Sequence, residues 1–481
     1  MPSPDLDATA VLQMLESRSI SAVELLDQTI SLIEKNDADL NAVVVKDFER
    51  ARAAARRSDD RRSAGDAGRL DGLPITIKES FDVAGLPTTW GVPSMAANVR
   101  ASDAVVVGRL RKEGAVVVGK TNVPTFLDGL GSSNEVYGRT RNPLDRERSP
   151  GGSSSGSAAA VRAGFSFLDV GSDLSGSIRH PASFCGLFGH SPSLGLVPQR
   201  GHSLFGRVAP FDMSTPGPLA RSARDLALAM EIISGPDDDL APSVIGRLAS
   251  PRHTSLSGYR VLVLTSHPLV PTDSEVSEVV ATFGDRLATA GATVANGTSI
   301  VPSLKASTEN YMRLLGAALS TGQDDETRAR LIAQDAKHGR ERDMRGEFLR
   351  GSVFSHAEWL NSQERRIGLR WLWKDVFRNY DVVICPAAPV VGLTHEEVEA
   401  GAVKIDGVEV PNEDHIVWAS VAKSADLPAT VIPAATAMDG RPIGVQVIGP
   451  FMEDLTTIEL GVLASEDGFC PSYAGISQFC T

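Results

Sequence analysis

Hydrophobic residues near the start of the chain recur every three to four positions, which is the spacing of one face of a helix. Leu26, Ile30 and Ile33 have this spacing. We therefore predict helical structure over residues 5–37. Within it, Ser21-Ala-Val-Glu24 has the order of a capping box and marks a helix start. A second, highly charged helix is predicted from Ala51 to Gly65.

Short apolar runs then alternate with helix-like patterns along most of the chain. We predict strands at Asn41–Val45, Ile75–Ile77, Val105–Leu110, Ala115–Val118, Phe165–Val170, Tyr259–Leu264, Ala292–Val294, Asp381–Pro386, Ala429–Ile432 and Ile443–Gly449. A helix is predicted from Ser274 to Ala290, between two of these strands. Because strands that alternate with helices form sheets covered on both faces, the pattern predicts an α/β fold with a mostly parallel or mixed sheet.

Composition narrows the class of protein. Of the 481 residues, 42% are hydrophobic and 22% are charged, as in ordinary globular proteins. The net charge of −13 disfavours binding to a phosphate backbone, so we predict no nucleic-acid partner. No apolar run approaches the roughly 20 residues that span a bilayer, and the first residues lack a signal-peptide pattern. We expect a cytoplasmic protein without a membrane partner.

The cysteines and histidines do not suggest a metal centre. The four cysteines contain no Cys-x-x-Cys pair, and the nine histidines contain no His-x-x-x-His pair. Cys185 and Cys385 lie in apolar runs and are predicted to be buried free thiols, whereas pairing of Cys470 with Cys480 is left open by their spacing. His180 is predicted to be structural or pocket-lining, and His190 likewise. We expect neither a metal nor a cofactor.

The segment Gly114-Ala-Val-Val-Val-Gly-Lys-Thr121 matches the P-loop pattern letter for letter. A P-loop needs a strand before its first glycine and a glycine-rich turn that bends around phosphate. Here the four middle residues are apolar and belong to a predicted strand. We therefore predict a straight, buried strand in which Lys120 is structural, and no nucleotide site.

Two turns rich in glycine and serine, between Pro150 and Pro181, are the most informative part of the chain. The first reads Pro150-Gly-Gly-Ser-Ser-Ser-Gly-Ser157 and runs into a predicted helix start at Ser157; the second, Gly171–Ser177, follows a predicted strand. Flexible linkers have such compositions, but a linker is not held between two core elements. The glycines are better explained as places where backbone amides approach a substrate.

These two turns resemble those of the amidase signature enzymes, serine hydrolases that use a Ser–Ser–Lys triad. Two upstream segments, Gly72–Thr89 and Thr140–Asp145, resemble the same family. The resemblance extends over about residues 5–465 and implies one large domain with a central mixed sheet covered by helices on both faces. The expected parts of this single domain, 1–481, are an N-terminal helical layer (1–63), the signature core (64–235) and a variable helical substrate-pocket region (303–380).

The resemblance also implies the residues of the triad. Ser177 matches the nucleophile, Lys78 matches the catalytic lysine, and Ser153 matches the bridging serine, 24 positions before Ser177 as in the family (177 − 153 = 24). A lysine is a base only when uncharged, and burial favours the uncharged form. Neutral Lys78 would accept a proton from Ser153, which accepts one from Ser177. Ser154 and Ser155 would support the loop, with Ser154 the nearer to the site.

An oxyanion hole is expected from four consecutive backbone N–H groups, those of Leu174, Ser175, Gly176 and Ser177. The chain departs from the family pattern at Ser155 and Ser175, where the family commonly has glycine. The backbone donor survives either change, but Ser175 would be strained if its φ were positive. Asp173 and Arg179 are expected to brace the loop, and a cis peptide bond is implied before Ser153.

Together these features predict an amidohydrolase that cleaves a linear C–N bond of a small or aromatic carboxamide or anilide. Carbamates, as in urethanases, and esters are further possible substrates. An apolar pocket is expected from six large side chains: Trp90, Phe126, Leu127, Phe205, Trp359 and Trp371. The protein is predicted to act on a small-molecule amide as a monomer or homodimer.

Two other functions share the same signature. One is the A subunit of a tRNA-dependent amidotransferase, and the other is a catalytically inactive relative used as a binding module. The divergent 303–380 region and the Ser175 departure favour the free-standing hydrolase over the amidotransferase component. The three intact triad positions disfavour the inactive relative.

Overall fold

The computed structural model describes residues 6–203, 207–244, 246–338 and 343–471. Its centre is a mixed sheet of eleven strands, with two small hairpins elsewhere. The strands are β1 (Val43–Lys46), β2 (Pro74–Lys78), β3 (Val116–Thr121), β4 (Ser133–Asn134), β5 (Gly138–Arg139), β6 (Leu168–Asp173), β7 (Phe188–Ser191), β8 (Thr215–Ala220), β9 (Arg260–Val263), β10 (Thr293–Asn296), β11 (Val382–Pro386), β12 (Ala402–Ile405), β13 (Val408–Pro411), β14 (Ala429–Thr436) and β15 (Pro442–Ile448).

The large sheet has the strand order β1-β3-β2-β6-β8-β7-β14-β15-β11-β9-β10. Pairs β2–β3, β2–β6, β9–β10 and β9–β11 are parallel, and the remaining neighbours are antiparallel. The register of β2 on β6 pairs Thr76 with Asp169 and Ile77 with Val170. This register brings the carboxyl ends of β2 and β6 to the same edge of the sheet.

Helices cover the sheet and form the rest of the domain. They are α1 (Ala8–Glu16), α2 (Ala22–Leu40), α3 (Phe48–Ala64), α4 (Val105–Lys112), α5 (Ser155–Arg162), α6 (Arg179–Phe184), α7 (Ala223–Ile233), α8 (Ser274–Thr289), α9 (Leu304–Leu319), α10 (Asp325–His338), α11 (Met344–Ser352), α12 (His356–Asn379), α13 (His395–Ala400), α14 (Val417–Lys423) and α15 (Asp454–Glu466).

Side chains alternate between the two faces of the sheet, and each face has its own core. On β9, Val261 and Val263 join a core that also takes in α1 to α4, α7, α8 and α15, whereas Leu262 joins the core under α9, α11, α12 and α14. The same alternation on β11 sends Val382 to the first core and Val383 to the second. The predicted fold, a single domain with a mixed sheet between helical layers, is confirmed.

Most predicted elements are found, with corrections at three places. Val105–Leu110 is helix α4 and not a strand, because Val106, Val107 and Leu110 lie on one helical face and are all buried. The region predicted as helix up to residue 37 contains, from residue 6 onwards, helix α1 and most of helix α2, and the Ser21 capping box starts the second. The strand predicted from Phe165 begins only at Leu168.

The P-loop match is a strand, as predicted. Residues Val116–Thr121 form β3, and all six are buried. The Lys120 ammonium donates hydrogen bonds to the Pro87 carbonyl and to Thr88 Oγ1, so its contacts are internal. Cys185 and Cys385 are buried free thiols, also as predicted, whereas Cys480 lies outside the described residues. Within the described ranges, no helix is long and apolar enough to cross a bilayer.

Candidate active site

The site lies where β2 and β6 end side by side. Lys78 is the last residue of β2, and Ser172 and Asp173 end β6. Parallel neighbours end at the same edge of a sheet, so the side chains of these residues meet there. The Lys78 side chain is fully buried, and Ser172 Oγ lies 3.0 Å from its Nζ atom. The strand pairing therefore fixes the position of the Lys78 amine without any contribution from the loops.

The first Gly/Ser turn supplies two more hydroxyls to the same lysine. Lys78 Nζ donates to Ser153 Oγ at 2.8 Å and to Ser154 Oγ at 3.0 Å. The peptide bond between Gly152 and Ser153 is cis, as the resemblance implied. Helix α5 begins at Ser155, two residues before the predicted start, and Ser154 at its N-cap makes no side-chain capping bond because its hydroxyl faces Lys78.

The environment of Lys78 favours its uncharged form. Burial lowers the pKa of the Lys78 ammonium from 10.5 to about 7, although the negative charges of Asp173 and Asp169 act in the opposite direction. At this pKa a large fraction of Lys78 is neutral near pH 7. Three serine hydroxyls surround the amine, and these are groups with which a neutral amine exchanges protons through hydrogen bonds.

Asp173 organises the second turn. Its carboxylate accepts hydrogen bonds from the backbone N–H groups of Gly176 at 2.9 Å, Ile178 at 3.1 Å and Arg179 at 3.3 Å. The Arg179 guanidinium adds two more, at 2.8 and 3.0 Å. Burial opposes ionisation of Asp173, but the charges of Arg179 and Lys423 outweigh it and hold the pKa of its carboxyl well below its usual range. One buried carboxylate thus holds the backbone of the turn through hydrogen bonds.

Of the four backbone N–H groups expected to form the oxyanion hole, one is already hydrogen-bonded within the turn and three are not. The Gly176 N–H is engaged by Asp173 and is not free for a substrate. The N–H groups of Leu174, Ser175 and Ser177 donate to no described residue, and all three residues are half-buried. The positive φ of the turn, +106°, falls at Gly176, and Ser175 is not among the residues with positive φ. Replacement of the family's glycine by Ser175 therefore introduces no such strain.

Ser177 lies between the turn and α6. Its carbonyl accepts a hydrogen bond from the Ser154 N–H at 3.1 Å, which ties the two Gly/Ser turns together beside Lys78. Ser177 is half-buried, and its hydroxyl makes no hydrogen bond to any residue that the structure describes. The structure thus brings Lys78 and Ser153 into direct contact and places Ser177 on the adjoining loop with its hydroxyl unengaged.

Two contacts to this loop lie outside the predicted set. Lys423, the last residue of α14, donates to Thr215 Oγ1 at 2.6 Å and lies 4.0 Å from Asp173. Tyr311 on α9 donates its hydroxyl to the Leu174 carbonyl at 3.0 Å. Burial lowers the pKa of Lys423 to about 7 while Asp173 raises it. The sequence signal for Lys423 is a lysine that directly follows the largely apolar segment Val417–Ala422.

A cavity of about 370 Å³ lies against the loop 207–212 and helices α9 to α12. Of the six aromatic and apolar residues predicted to line a pocket, Trp359 lines this cavity. Trp90 is instead buried and donates to the Ser80 carbonyl, while the exposed fractions of Phe126 and Trp371 are 51% and 61%. Leu127 is half-buried and not part of the cavity wall, and Phe205 lies outside the described residues.

The two histidines near the turn have different surroundings. His190 is buried between Thr430 Oγ1 at 2.9 Å and the Asp454 carboxylate at 3.0 Å, as expected of a structural residue. His180 is buried against Gly176, and burial together with His415 and Arg179 lowers its pKa well below the usual value. Over the described part of the chain, His, Cys, Asp and Glu side chains form no group of three that could hold a metal ion.

Comparison with known protein families identifies the family of this chain. A family model described as Amidase covers residues 24–458. The chain belongs to the Amidase family. A bacterial aryl acylamidase of the amidase signature family is 25% identical and superposes with a TM-score of 0.80, covering 98% of this chain and 97% of that one. The resemblance stated from the sequence is thereby confirmed.

Two further proteins to which this chain is similar have other names. The glutamyl-tRNA(Gln) amidotransferase A subunit of Psychrobacter sp. (strain PRwf-1) is 32% identical, with 93% of each chain covered. A solved structure described as a vestigial protein complex that reveals the origins of an s-triazine catabolic enzyme is 28% identical. Its TM-score is 0.80, with 98% of this chain and 100% of that one covered.

These relatives correct the prediction about partners. The expectation of no nucleic-acid partner, and of a monomer or homodimer, is wrong, because relatives matched along nearly the full chain are named as one subunit of an enzyme for glutamyl-tRNA(Gln). The expectation of no nucleic-acid partner rested on a net charge of −13, which describes this chain alone. In a multisubunit enzyme another subunit can carry the basic surface that contacts RNA.

Proposed function

We propose that this member of the Amidase family cleaves a carboxamide through an acyl-enzyme on Ser177. In this proposal Ser177 Oγ attacks the carbonyl carbon, its proton passes to Ser153, and the Ser153 proton passes to neutral Lys78. The tetrahedral oxyanion is stabilised by the N–H groups of Leu174, Ser175 and Ser177. The expected contribution of Gly176 is dropped, because its N–H is engaged by Asp173.

The second half of the cycle uses the same groups in reverse. Collapse of the intermediate breaks the C–N bond, and the proton held by Lys78 returns through Ser153 to the leaving nitrogen, which departs as ammonia or an amine. Water then attacks the acyl carbonyl, and its proton passes through Ser153 to Lys78. As the bond between the acyl carbon and Ser177 Oγ breaks, this proton returns through Ser153 to Ser177 Oγ, and the carboxylic acid leaves. The protons balance over the cycle, and no cofactor enters it.

One observation carries this proposal. It is the Lys78 amine, fully buried, 2.8 Å from Ser153 Oγ and with its pKa lowered by burial to about 7. A charged lysine cannot accept a proton, and a buried lysine with a pKa near the working pH can. The inactive binding relative is disfavoured on the same ground. Covalent labelling of Ser177 by a fluorophosphonate, absent in Ser177→Ala, tests the nucleophile directly.

We further propose that the carboxamide is glutamine and that the chain is the amide-cleaving component of a tRNA-dependent amidotransferase. Support comes from relatives with this name, 30–32% identical and covered over more than nine-tenths of their length. The test is ammonia release from glutamine by the chain alone and after co-expression with the other subunits of a related amidotransferase. Release that rises on assembly and on addition of glutamyl-tRNA supports the proposal.

A hydrolase of small or aromatic carboxamides and anilides is the second candidate. The similarity to an aryl acylamidase favours it. A screen of primary amides, anilides, carbamates and esters separates the two functions. Fast anilide cleavage without glutaminase activity in any assembly would reject the amidotransferase role and retain the acyl-enzyme on Ser177.

A further inference from the structure

Three backbone N–H groups of the second Gly/Ser turn, those of Leu174, Ser175 and Ser177, donate to no described residue. Each belongs to a peptide unit that also contains the carbonyl of the preceding residue, and these carbonyls are those of Asp173, Leu174 and Gly176. In a planar trans peptide unit the C=O and N–H bonds point in opposite directions. A group that binds one of these carbonyls therefore also sets the direction of the N–H group that follows it.

Two of the three peptide units are held by the secondary structure around them. The Gly176 carbonyl accepts a hydrogen bond from the His180 N–H at 2.7 Å, in the first turn of α6. Asp173 is the last residue of β6 and pairs with Thr215 of β8, whose Oγ1 atom donates to the Asp173 carbonyl at 3.3 Å. The N–H groups of these two units thus take their directions from the start of a helix and the end of a strand.

The third peptide unit, between Leu174 and Ser175, depends on a distant side chain. It lies after the end of β6 and before the start of α6. Its carbonyl accepts a hydrogen bond from the Tyr311 hydroxyl at 3.0 Å, across 137 positions of sequence. Among the described residues, no other group donates to the Leu174 carbonyl. The direction of the Ser175 N–H therefore depends on Tyr311.

The surroundings of Tyr311 hold this hydrogen bond in place. Tyr311 lies on α9, which packs against α11, α12 and α14, and its side chain is completely buried in the core on that face of the sheet. Burial raises the pKa of the Tyr311 phenol well above its usual value, so the hydroxyl retains its proton and remains a donor throughout the neutral range. Tyr311 is thus a fixed, uncharged donor on the carbonyl side of the peptide unit.

We propose that Tyr311 is a positioning residue for amide cleavage, which aims the Ser175 N–H at the oxyanion that forms when Ser177 attacks the substrate. Donors that are oriented before charge develops need no reorganisation in the transition state. A hydrogen bond accepted by the carbonyl also polarises the peptide unit and strengthens its N–H as a donor. This role rests on the proposed acyl-enzyme at Ser177, and it adds a contribution from the predicted substrate-pocket region (303–380).

The test uses Tyr311→Phe, which removes the hydroxyl and keeps the ring, and the amide that the wild type cleaves fastest in the screen of primary amides and anilides. In this variant kcat should fall about ten- to hundredfold while KM changes by less than about twofold, because the Ser175 N–H stabilises the oxyanion and not the bound substrate. Loss of a whole oxyanion donor typically lowers kcat about a hundred- to thousandfold. The expected loss is smaller here, because the donor remains and only its orientation is weakened.

Tyr259→Phe is the matched control. Tyr259 is also completely buried, and its hydroxyl donates to a backbone carbonyl, that of Thr456, at the same distance of 3.0 Å. It precedes β9, which lies six positions from β6 in the large sheet. The two variants should lower the urea midpoint of unfolding by similar amounts, whereas kcat should fall only in Tyr311→Phe. A kcat loss of equal size in both variants would overturn the proposed role, because kcat would then report stability alone.

A transition-state analogue gives a second readout. A trifluoromethyl ketone that carries the acyl group of the substrate forms a tetrahedral adduct with a serine nucleophile, and the adduct oxygen occupies the oxyanion hole. Its inhibition constant should rise in Tyr311→Phe by the factor by which kcat/KM falls, whereas that of the corresponding trifluoromethyl alcohol, which forms no adduct, should change by less than about twofold.

The outcomes separate the role of Tyr311 from the chemistry at Ser177. Unchanged kcat in Tyr311→Phe, or inhibition constants that rise equally for the ketone and the alcohol, would overturn the role of Tyr311 and leave the acyl-enzyme intact. A wild-type protein that cleaves no amide and takes no fluorophosphonate label would instead reject the acyl-enzyme at Ser177, and the role of Tyr311 with it.

Discussion

Asp173 and Arg179 form a bidentate ion pair in which both side chains are completely buried, with N–O distances of 2.8 and 3.0 Å. The same carboxylate binds three backbone N–H groups of the Ser177 loop. One carboxylate therefore both neutralises the buried Arg179 charge and holds the backbone of the Ser177 loop in place. Removal of either partner leaves a buried charge without compensation and frees the loop from its anchor.

The first prediction concerns this pair. Asp173→Asn is expected to lower the free energy of unfolding by about 3–5 kcal/mol, because Arg179 is left buried and unpaired, and to lower kcat through loss of loop geometry. Urea unfolding and an amide-hydrolysis assay measure the two effects. Asp375→Asn, which breaks the exposed pair with Arg378 at 2.8 Å, is the matched control. It should cost less than about 1 kcal/mol, and an equal cost at both sites would contradict the proposed anchor.

The second prediction concerns the nucleophile and the bridging serine. Ser177→Ala and Ser153→Ala should each lower kcat by several orders of magnitude without unfolding the protein. In residues that act as one catalytic unit, removal of a single member abolishes most of the rate enhancement of the whole unit. Circular dichroism and steady-state rates measure this. Ser175→Ala retains its backbone N–H and should change kcat/KM by less than about tenfold. Near-normal rates in Ser177→Ala would reject its assignment as the nucleophile.

The third prediction concerns pH and Lys78. Only neutral Lys78 accepts the proton, and burial lowers its pKa to about 7, so kcat/KM should rise with pH below about 7 and level off above it. Lys78→Ala should lower turnover by several orders of magnitude and lose this rising limb. A limb that persists unchanged in Lys78→Ala would assign the titration to another group.

The same lowered pKa has a consequence for stability. In the unfolded chain Lys78 regains its ordinary pKa of 10.5, so between pH 10.5 and about 7 the unfolded state binds a proton that the folded state does not. The contribution of Lys78 to stability therefore falls as the pH is lowered through this window and stays constant below it. Urea unfolding at pH 9 and pH 7 should show a smaller loss on acidification in Lys78→Met than in the wild type.

Much of the sheet was predictable because its strands are short apolar runs bounded by turns. The exceptions have physical causes. Strand β8, Thr215–Ala220, was missed because Pro216 and Pro218 argue against a central strand, although β8 pairs with both β6 and β7. The helix Val105–Lys112 was mistaken for a strand because three consecutive valines favour strands, and only tertiary packing against α7 decides otherwise.

The candidate site was predictable where it depends on motifs and not where it depends on packing. The roles of Ser177, Ser153 and Lys78 stay predictions, but the contact between Lys78 and Ser153 follows from strand register and a turn that the sequence displays. The engagement of the Gly176 N–H by Asp173 is a matter of loop geometry. Lys423 reaches Asp173 from 250 positions away (423 − 173 = 250), a contact that local patterns do not encode.

The fourth prediction concerns Gly176, whose missing side chain the loop requires for two separable reasons. Its φ is +106°, and an added Cβ would lie 2.1 Å from Cε1 of the buried His180 ring. Gly176→Ala should therefore lower both the unfolding free energy and kcat/KM, whereas Gly195→Ala, with φ of +84° and no atom within 4 Å of an added Cβ, carries the backbone strain alone. If the clash matters, Gly176→Ala/His180→Ala should recover part of the stability lost in Gly176→Ala. Equal unfolding free energies for Gly176→Ala and Gly195→Ala would mean that His180 does not constrain the Ser177 loop.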